Sequence, residues 1–290
     1  LRKTYGYLMP LGTEYGNALF LSQYSFLGLD PRAMEDKYTY YWTQNVSHTM
    51  INRHYCIYEA PEEYKYSESD WGLTACGGCG KNPEYKSREP FKDDGIIAPT
   101  AAISAFPYTP FYSTQVLMNL IRNYPKLNGT YGLNISYCPS DKSVGTEYLA
   151  MEHAPMAIMM ENYRTGLIWK LLMKNEYVQK GLQLAEIRTS PEYTPGFYLA
   201  TVNTATHVYD MMRHPDREKY EIDFYTKNSG NGLLVLANTK NEEIYRTNIE
   251  LTAGTNIISF FDNSILRGKK YTLTVTDGAN QSYSIPVTLR

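Results

Sequence analysis

The spacing of apolar residues changes near residue 215 and divides the chain into two parts. Before that point, apolar residues recur every three to four positions, which is typical of amphipathic helices. The helices predicted in this way cover residues 18–27, 37–58, 100–105, 111–124, 155–173 and 176–184. Pro110 and Pro155 lie at predicted helix starts, where a missing backbone N–H costs nothing. Residues 1–190 are therefore predicted to form a mainly α domain.

Beyond residue 215, apolar and polar residues alternate in short runs, which indicates β-strands. The predicted strands cover residues 220–224, 233–236, 244–251, 256–261, 271–275 and 282–289, with turn residues between them. Runs of this period and spacing are typical of a β-sandwich. We therefore expect residues 216–290 to form a small β-sandwich accessory domain, with carbohydrate binding as the alternative to a purely structural role.

Three prolines mark residues 191–215 as a connection between the two domains: Pro191, Pro195 and Pro215. The stretch 197–207 within this connection is expected to pack back on the helical domain. We find no internal repeat and no low-complexity segment in either part.

Charge and aromatic content narrow the class of protein. The 290 residues carry 28 Lys and Arg against 30 Asp and Glu, and a formal net charge of -2 does not favour a nucleic-acid partner. The 28 tyrosines suit flat, amphipathic ligands such as sugars, because the ring stacks and the hydroxyl bonds outward. No run of about 18 apolar residues predicts a membrane span. A chain that begins at Leu1 is expected to be a processed or truncated product.

The four cysteines are Cys56, Cys76, Cys79 and Cys138. Cys76 and Cys79 form a C-x-x-C pair, but a structural zinc site needs a second pair of similar spacing, and the sequence has none. The two glycines between them favour a local Cys76–Cys79 disulfide or two free thiols. No metal ion or other cofactor is implied, although carboxylate-rich loops could hold calcium incidentally.

One face of the predicted helix 37–58 is polar. Tyr41, Asn45, His48 and Asn52 follow one another at steps of three or four residues and therefore share that face. A helix face in a hydrophobic core is usually aliphatic. The polar stripe therefore indicates either the wall of a polar cavity or a buried hydrogen-bond network that holds two helices together. The sequence alone leaves both alternatives open.

Two long loops, residues 59–99 and 125–150, separate the predicted helices, and loops of this length are usually functional. Trp71 lies in the first loop among polar residues and is a candidate stacking platform for a ligand. Asp93 and Asp94 lie in the same loop. Either aspartate could act as an acid or cap a turn, and capping is the commoner role.

Two glutamates near the predicted helix 155–173 are further candidates. Glu161 lies in an apolar stretch, where a carboxylate needs a partner, and Arg164 three residues later indicates a structural ion pair. Glu152 lies beside His153 at a junction of loop and helix, where burial or the helix terminus can set its pKa. Glu152 is therefore the better catalytic candidate.

Five ordered segments resemble the "putative glucoamylase" (glycoamylase-like) family. They are residues 24–32 (YSFLGLDPR), the helix 45–57 with its Asn45, His48 and Asn52, residues 71–75 (WGLTA), 94–102 (DGIIAPTAA) and 161–167 (ENYRTGL). That family includes bacterial endo-β-1,2-glucanases and the related domain of cyclic β-1,2-glucan synthases. The resemblance covers about residues 5–188.

The resemblance implies an (α/α)6 toroid with a sugar cleft on one rim. It also implies glycoside hydrolase activity, with β-1,2-glucan or sophoro-oligosaccharides as the expected substrates. Similar proteins are exported by Bacteroidetes-like bacteria, which implies a periplasmic or outer-surface location. Six predicted helices are half of the twelve that a toroid needs, so the chain resembles the C-terminal half of the catalytic domain. The other helices are expected from a longer precursor, a second gene product or a second copy of the chain.

The sequence also departs from the family pattern at the best catalytic candidate. The family often has Asp-Gln-Gly-Pro where this chain has Glu152-His153-Ala154-Pro155. A longer carboxylate arm shifts the acid by about one bond length, which bears on its role. Glycoside hydrolysis generally uses two carboxylates, one of which stays protonated near neutral pH.

The expected site combines these candidates. The candidate acids are Glu152, Asp93, Asp94 and Glu161, and the candidate sugar-binding residues are Trp71, Tyr41, Trp42, Asn45, His48, His153 and Arg164. The leading hypothesis is a β-glucan hydrolase that uses two carboxylates. The alternatives are a glycan-binding protein without catalysis, an incomplete half-enzyme, and a purely structural scaffold.

Overall fold

A computed structural model describes residues 3–80, 84–191, 198–204, 220–226, 228–260 and 269–288. The chain forms two compact units, Leu1–Thr189 and Ser190–Arg290. The first unit is helical with small antiparallel sheets, and the second is built from antiparallel strands. No helix among the described residues is long and apolar enough to cross a bilayer.

The described part of the first unit contains six α-helices. They are α1 (Tyr41–Tyr58), α2 (Pro99–Ile103), α3 (Pro110–Asn123), α4 (Ala150–Thr165), α5 (Leu167–Leu172) and α6 (Glu176–Leu184). Proline occupies the first turn of α2 and of α3, where its missing N–H has no intrahelical partner to lose. Every residue of α1 from position 44 to position 56 is buried, so its polar side chains lie inside the unit.

The segment 18–27, predicted as a helix, instead forms two 3-10 turns, Leu19–Ser22 and Ser25–Leu27. The backbone N–H of Leu19 donates to the Leu73 carbonyl at 3.0 Å, and the Gln23 side chain donates to the Ala101 carbonyl at 2.8 Å. Helix propensity over ten residues is a weak determinant that tertiary bonds of this kind override. The prediction was wrong for this reason.

The segment 155–173, predicted as one helix, forms two. Gly166 has φ 66°, the left-handed conformation that glycine adopts easily, and it ends α4 and begins α5. The Asn162 side chain links both helices to the segment before α1, because its Oδ1 accepts from the Trp169 N–H at 3.1 Å and its Nδ2 donates to the Leu27 carbonyl at 2.9 Å. Helix α4 begins at Ala150, so Pro155 lies inside the helix rather than at its start.

Four two-stranded antiparallel sheets fasten the loops of the first unit. The pairs are β1 (Lys3–Thr4) with β2 (Tyr7–Leu8), β3 (Met34–Glu35) with β8 (Arg188–Thr189), β4 (Asn128–Gly129) with β5 (Gly132–Leu133), and β6 (Tyr137–Cys138) with β7 (Ser143–Val144). Further 3-10 turns lie at Pro31–Ala33, Glu62–Tyr64, Pro90–Lys92 and Pro125–Leu127. The long loops therefore have structure of their own, as their length indicates.

The second unit contains two antiparallel sheets. Its strands are β9 (Tyr198–Thr204), β10 (Tyr220–Thr226), β11 (Gly230–Asn238), β12 (Glu243–Leu251), β13 (Gly254–Phe260), β14 (Lys270–Thr276) and β15 (Ser282–Thr288). The order in one sheet is β13-β10-β9, and in the other it is β12-β11-β14-β15. Phe224 of β10 joins a buried cluster with Leu234, Leu236, Leu273 and Val275, so both sheets contribute to one core.

The sequence predicted all of these strands except β9. The ends of the predicted strands 256–261 and 282–289, at residues 261 and 289, lie outside the described residues. Within the stretch 197–207, for which packing on the helical domain was expected, Tyr198–Thr204 pairs in antiparallel register with β10. Residues 192–197 and 205–215 of the predicted connection also lie outside the described residues.

The cysteines pair differently from the local arrangement considered above. Cys79 forms a disulfide with Cys138, whose Cα lies 6.1 Å away, and it joins the two long loops across 59 residues of sequence. Cys56 and Cys76 are buried free thiols. A loop of this length gives a disulfide about 4 kcal/mol of stabilisation in the chain-entropy model.

This pairing makes a direct prediction for thiol chemistry. We expect two reactive thiols per chain after denaturation without reductant, and almost none in the folded protein, because Cys56 and Cys76 are buried. The measurement is thiol titration with and without guanidinium, followed by peptide mapping of the unreduced chain. A Cys76–Cys79 cross-link in the map would contradict the assignment.

Candidate functional site

Glu152 lies in the first turn of α4 and is only 1% exposed. Its Oε1 accepts a hydrogen bond from the Tyr85 hydroxyl at 2.8 Å. Its Oε2 has no hydrogen-bond partner within the described parts of the chain. A buried carboxylate with a free oxygen is costly in its charged form, which favours the protonated acid.

Burial raises the pKa of Glu152 to about 7, against the smaller opposing effects of the Tyr85 hydrogen bond and the His153 charge. The protonated fraction is therefore substantial at neutral pH. A carboxyl group of this kind can donate a proton to a leaving group under conditions where an ordinary glutamate is ionised.

The raised pKa also predicts how stability depends on pH. Glu152 holds its proton in the folded state up to about pH 7 but releases it near pH 4.5 when the chain is unfolded. Its contribution to the free energy of unfolding is therefore complete below pH 4.5 and is lost as the pH rises through 7. Glu152→Gln should flatten this fall by about 3 kcal/mol between pH 4.5 and pH 8. Urea unfolding of both proteins at each pH measures the difference. Parallel pH profiles would contradict it.

The loop that carries Tyr85 is fastened at its base. Cys76 and Lys86 exchange two backbone hydrogen bonds of 3.2 Å, and the fully buried guanidinium of Arg88 donates to the Cys76 carbonyl at 2.7 Å. Arg88 also donates to Asp94 Oδ1 at 2.7 Å, and Lys86 lies 2.8 Å from Asp94 Oδ2. The ion pairs thus hold the loop that brings Tyr85 to Glu152.

Asp94 and Asp93 differ in environment although they are neighbours. Burial favours the protonated form of Asp94, but the hydrogen bonds and charges of Arg88 and Lys86 outweigh it and lower its pKa. Burial raises the pKa of Asp93, although both its oxygens accept hydrogen bonds, from Tyr66 at 2.7 Å and from Tyr55 at 3.3 Å. Asp94 is therefore an ion-paired structural group, and Asp93 is enclosed by tyrosines.

The polar stripe of α1 forms a buried hydrogen-bond network rather than an open cavity wall. Asn52 pairs with both backbone groups of Leu73, at 2.9 Å from its Oδ1 and 3.2 Å from its Nδ2, and Asn45 donates to the Tyr108 hydroxyl at 3.2 Å. Tyr41 is half-buried and donates to Asp36 at 2.9 Å. The network fastens loops to α1, whereas the sequence suggested a second helix as its partner.

His48 belongs to the same network. Its Nδ1 lies 2.6 Å from the Ser22 hydroxyl and its Nε2 lies 3.2 Å from the Asn17 carbonyl. Burial lowers its pKa to about 4, so the ring is neutral at pH 7. Because the Asn17 carbonyl only accepts, Nε2 carries the proton and Nδ1 accepts from Ser22.

Four other residues predicted for the site are either closed off from solvent or bound to each other. The rings of Trp71 and Trp42 are 0% and 2% exposed, and Trp42 packs edge-on against Tyr108, so neither offers a face to a ligand. Glu161 and Arg164 form the predicted ion pair, with 2.8 Å between Oε2 and Nη2, near the surface of α4. None of these four side chains hydrogen-bonds to Glu152 within the described residues.

His153 lies beside Glu152 but is engaged elsewhere. Its two ring nitrogens lie 2.9 Å from the Leu149 carbonyl and 2.8 Å from the Leu133 carbonyl, and its ring stacks on that of Tyr148. His153 therefore lies next to Glu152, but its ring holds the Leu149 and Leu133 carbonyls at the start of α4.

Sequence reasoning missed two tyrosines at the site. Tyr85, 39% exposed, and the half-buried Tyr24 both approach Glu152, and the charge of Glu152 helps raise the pKa of each after the larger effect of burial. No motif marks Tyr85. Tyr24 begins the segment 24–32 that resembles the family, and this resemblance could have identified it as a site residue.

Comparison with known proteins identifies a family for the first unit. Residues 3–176 match the family model Glycoamylase, described as "Putative glucoamylase". The structure of a "putative glucoamylase" from Bacteroides uniformis is 42% identical, with a TM-score of 0.61 over 65% of this chain and 46% of the other. An endo-β-1,2-glucanase from Chitinophaga pinensis, solved with sophorotriose and glucose, is 40% identical, with a TM-score of 0.57 over 62% of this chain and 43% of the other.

A curated relative from Parabacteroides distasonis is an exo β-1,2-glucooligosaccharide sophorohydrolase acting at the non-reducing end. It is 40% identical over 182 residues, which are 62% of this chain and 25% of the relative. The chain thus spans less than half the length of the solved relatives and a quarter of the curated one. The similarity covers the unit that contains Glu152.

Proposed function

Because the chain belongs to the glycoamylase family, we propose that it is a glycoside hydrolase acting on β-1,2-glucan or sophoro-oligosaccharides. The observation that carries this proposal is the buried Glu152, whose free Oε2 and raised pKa suit a proton donor. Two relatives at 40% identity are named for activity on β-1,2-linked glucose chains.

Glu152 acts as the general acid in this mechanism. Its proton passes to the glycosidic oxygen while the bond from that oxygen to the anomeric carbon breaks. A water oxygen forms the new bond to the anomeric carbon and passes a proton to a second carboxylate. Glu152 suits the acid role because burial keeps its proton near neutral pH, whereas the ion pairs of Asp94 hold that group ionised.

Tyr85 is an exposed aromatic residue in direct contact with Glu152. Its hydroxyl holds Glu152 Oε1 while 39% of the residue stays open to solvent. An aromatic face beside an acid suits stacking of a glucose ring. We assign to Tyr85 the sugar-binding role that the sequence suggested for Trp71 and Trp42.

The second carboxylate is proposed to come from helices beyond this unit. Asp93 is enclosed by tyrosines, Asp94 is ion-paired and Glu161 pairs with Arg164, so none of them is free to serve Glu152. Six α-helices are described here, whereas an (α/α)6 toroid has twelve. A precursor segment, a second chain or a second copy would complete the toroid, and the two sheets of the second unit would form a β-sandwich appendage.

The chain covers less than half of the length of the solved relatives, which favours one alternative, a glycan-binding unit without catalysis. Incubation of the 290-residue chain with β-1,2-glucan and with sophoro-oligosaccharides tests both functions. Release of reducing ends supports the hydrolase, and calorimetric binding of sophorotriose without release supports the binding unit. Neither release nor binding, with gel filtration showing a folded monomer, would overturn both proposals for the isolated chain.

A location outside the cytoplasm is part of the proposal. The Cys79–Cys138 disulfide is of the kind that persists in an oxidising compartment such as the bacterial periplasm or the outer surface. A polymeric glucan substrate is consistent with that location. Fractionation of the native host, followed by immunodetection, tests it.

A further inference from the structure

Pro155 leaves one carbonyl of α4 without its helical partner. In a regular helix the N–H of residue 155 donates to the carbonyl of residue 151, but proline has no N–H. The Tyr24 hydroxyl takes this place and donates to the Met151 carbonyl at 3.0 Å. The bond therefore reaches the residue directly before Glu152.

The segment that carries Tyr24 is held against the helices at its other end as well. The Asn162 side chain donates to the Leu27 carbonyl at 2.9 Å, and Trp169 Nε1 donates to the Phe26 carbonyl at 2.7 Å. Residues 24–27 thus connect the last turn of α4 and the start of α5 to the first turn of α4. Within the described residues, Tyr24 supplies the side chain that bonds the Met151 carbonyl, whereas Tyr85 and His153 hold the same turn at Glu152 and at the Leu133 carbonyl.

We propose that Tyr24 is a positioning residue for Glu152, acting through the Met151 carbonyl that Pro155 leaves free. This inference rests on the proposed role of Glu152 as the acid. Tyr24 fixes the turn that presents the carboxyl group and keeps water away from it. Its hydroxyl bonds the backbone rather than the carboxyl group, so it touches no reacting atom.

Among the described residues, four titratable groups face Glu152 from the elements around it. They are Tyr85 and Cys76 from the loop, Tyr24 from the segment before α1, and His153 from α4 itself. Since Tyr24→Phe leaves the other three in place, a change in the titration of Glu152 reports the position and solvation of its turn.

Tyr24→Phe removes the hydroxyl and keeps the ring that packs on Phe20. We expect the titration midpoint of Glu152 to fall by about one pH unit, because the loosened turn admits water. We expect kcat on β-1,2-glucan to fall about tenfold with KM changed less than about twofold, and the alkaline limb of the pH profile to move down with the midpoint. Carbon-13 NMR of side-chain-labelled glutamate, assigned with Glu152→Gln, measures the midpoint without requiring activity.

Pro155→Ala is the second test and covers the case in which Tyr24→Phe does not fold. It restores an N–H that competes for the Met151 carbonyl, so we expect a smaller shift in the same direction. Tyr177→Phe is the control, because Tyr177 is 77% exposed on α6. A lowered melting temperature with an unchanged Glu152 midpoint and unchanged kcat would overturn the positioning role.

The two proposals fail separately. If the unmodified chain releases no reducing sugar, the hydrolase proposal fails, and the NMR midpoints of the variants still decide whether Tyr24 governs Glu152. If the chain is active but both variants titrate and turn over normally, Tyr24 has no positioning role.

Discussion

Glu152→Gln is expected to reduce the release of reducing sugar from β-1,2-glucan by about a thousandfold, because the amide cannot donate the proton that the leaving oxygen needs. Glutamine has the same shape and still accepts from Tyr85 through its carbonyl oxygen, so the fold should persist. The measurement is the initial rate of reducing-end formation, with circular dichroism to confirm the fold.

Glu176→Gln is the matched control for this experiment. Glu176 also lies in the first turn of a helix, α6, but it is exposed. Its replacement should leave the rate within about twofold, since exposed substitutions away from a site have small effects. Undiminished turnover by Glu152→Gln would remove Glu152 from the mechanism, whatever the control does.

Asn52→Leu is expected to destabilise the first unit by about 1–3 kcal/mol. Asn52 is fully buried, and its amide satisfies both the N–H and the carbonyl of Leu73. Leucine fills a similar volume but leaves the buried Leu73 N–H without a partner, which costs about 1–3 kcal/mol. The Leu73 carbonyl still accepts from the Leu19 N–H at 3.0 Å. The measurement is urea unfolding followed by far-ultraviolet circular dichroism.

Asn123→Leu is the control for the stability experiment. Asn123 ends α3, is exposed, and its side chain donates to the Asn119 side chain at 2.8 Å. We expect a change within about 0.5 kcal/mol. If Asn52→Leu unfolds at the same urea concentration as the unmodified chain, the α1 network does not hold the loop at Leu73.

The polar face of α1 shows why the sequence predicted the site only in part. Helical spacing placed Asn45, His48 and Asn52 on one face, and the structure confirms that they share the buried interior of α1. Spacing cannot show what lies opposite a face. The partners come from the chain itself, from Leu73, Tyr108 and Ser22, so these polar groups make internal hydrogen bonds.

Glu152 shows the opposite case. The sequence predicted that Glu152 lies at a junction of loop and helix, and the segments that resemble the family lie in the same unit. Its chemistry depends on Tyr85 and Tyr24, which lie 67 and 127 residues from their partners in sequence. Burial by such distant segments sets the pKa, and no local pattern encodes it.

The sequence by itself determined the two-part organisation, the strands β10 to β15, most helices and the family, because periodicity and short motifs are local properties. Only the tertiary structure decided the Cys79–Cys138 pairing, the turns at 18–27, the ion pairs of Asp94 and the environment of Glu152. Each of these depends on contacts between segments far apart in the chain, where desolvation and hydrogen bonding outweigh local preference.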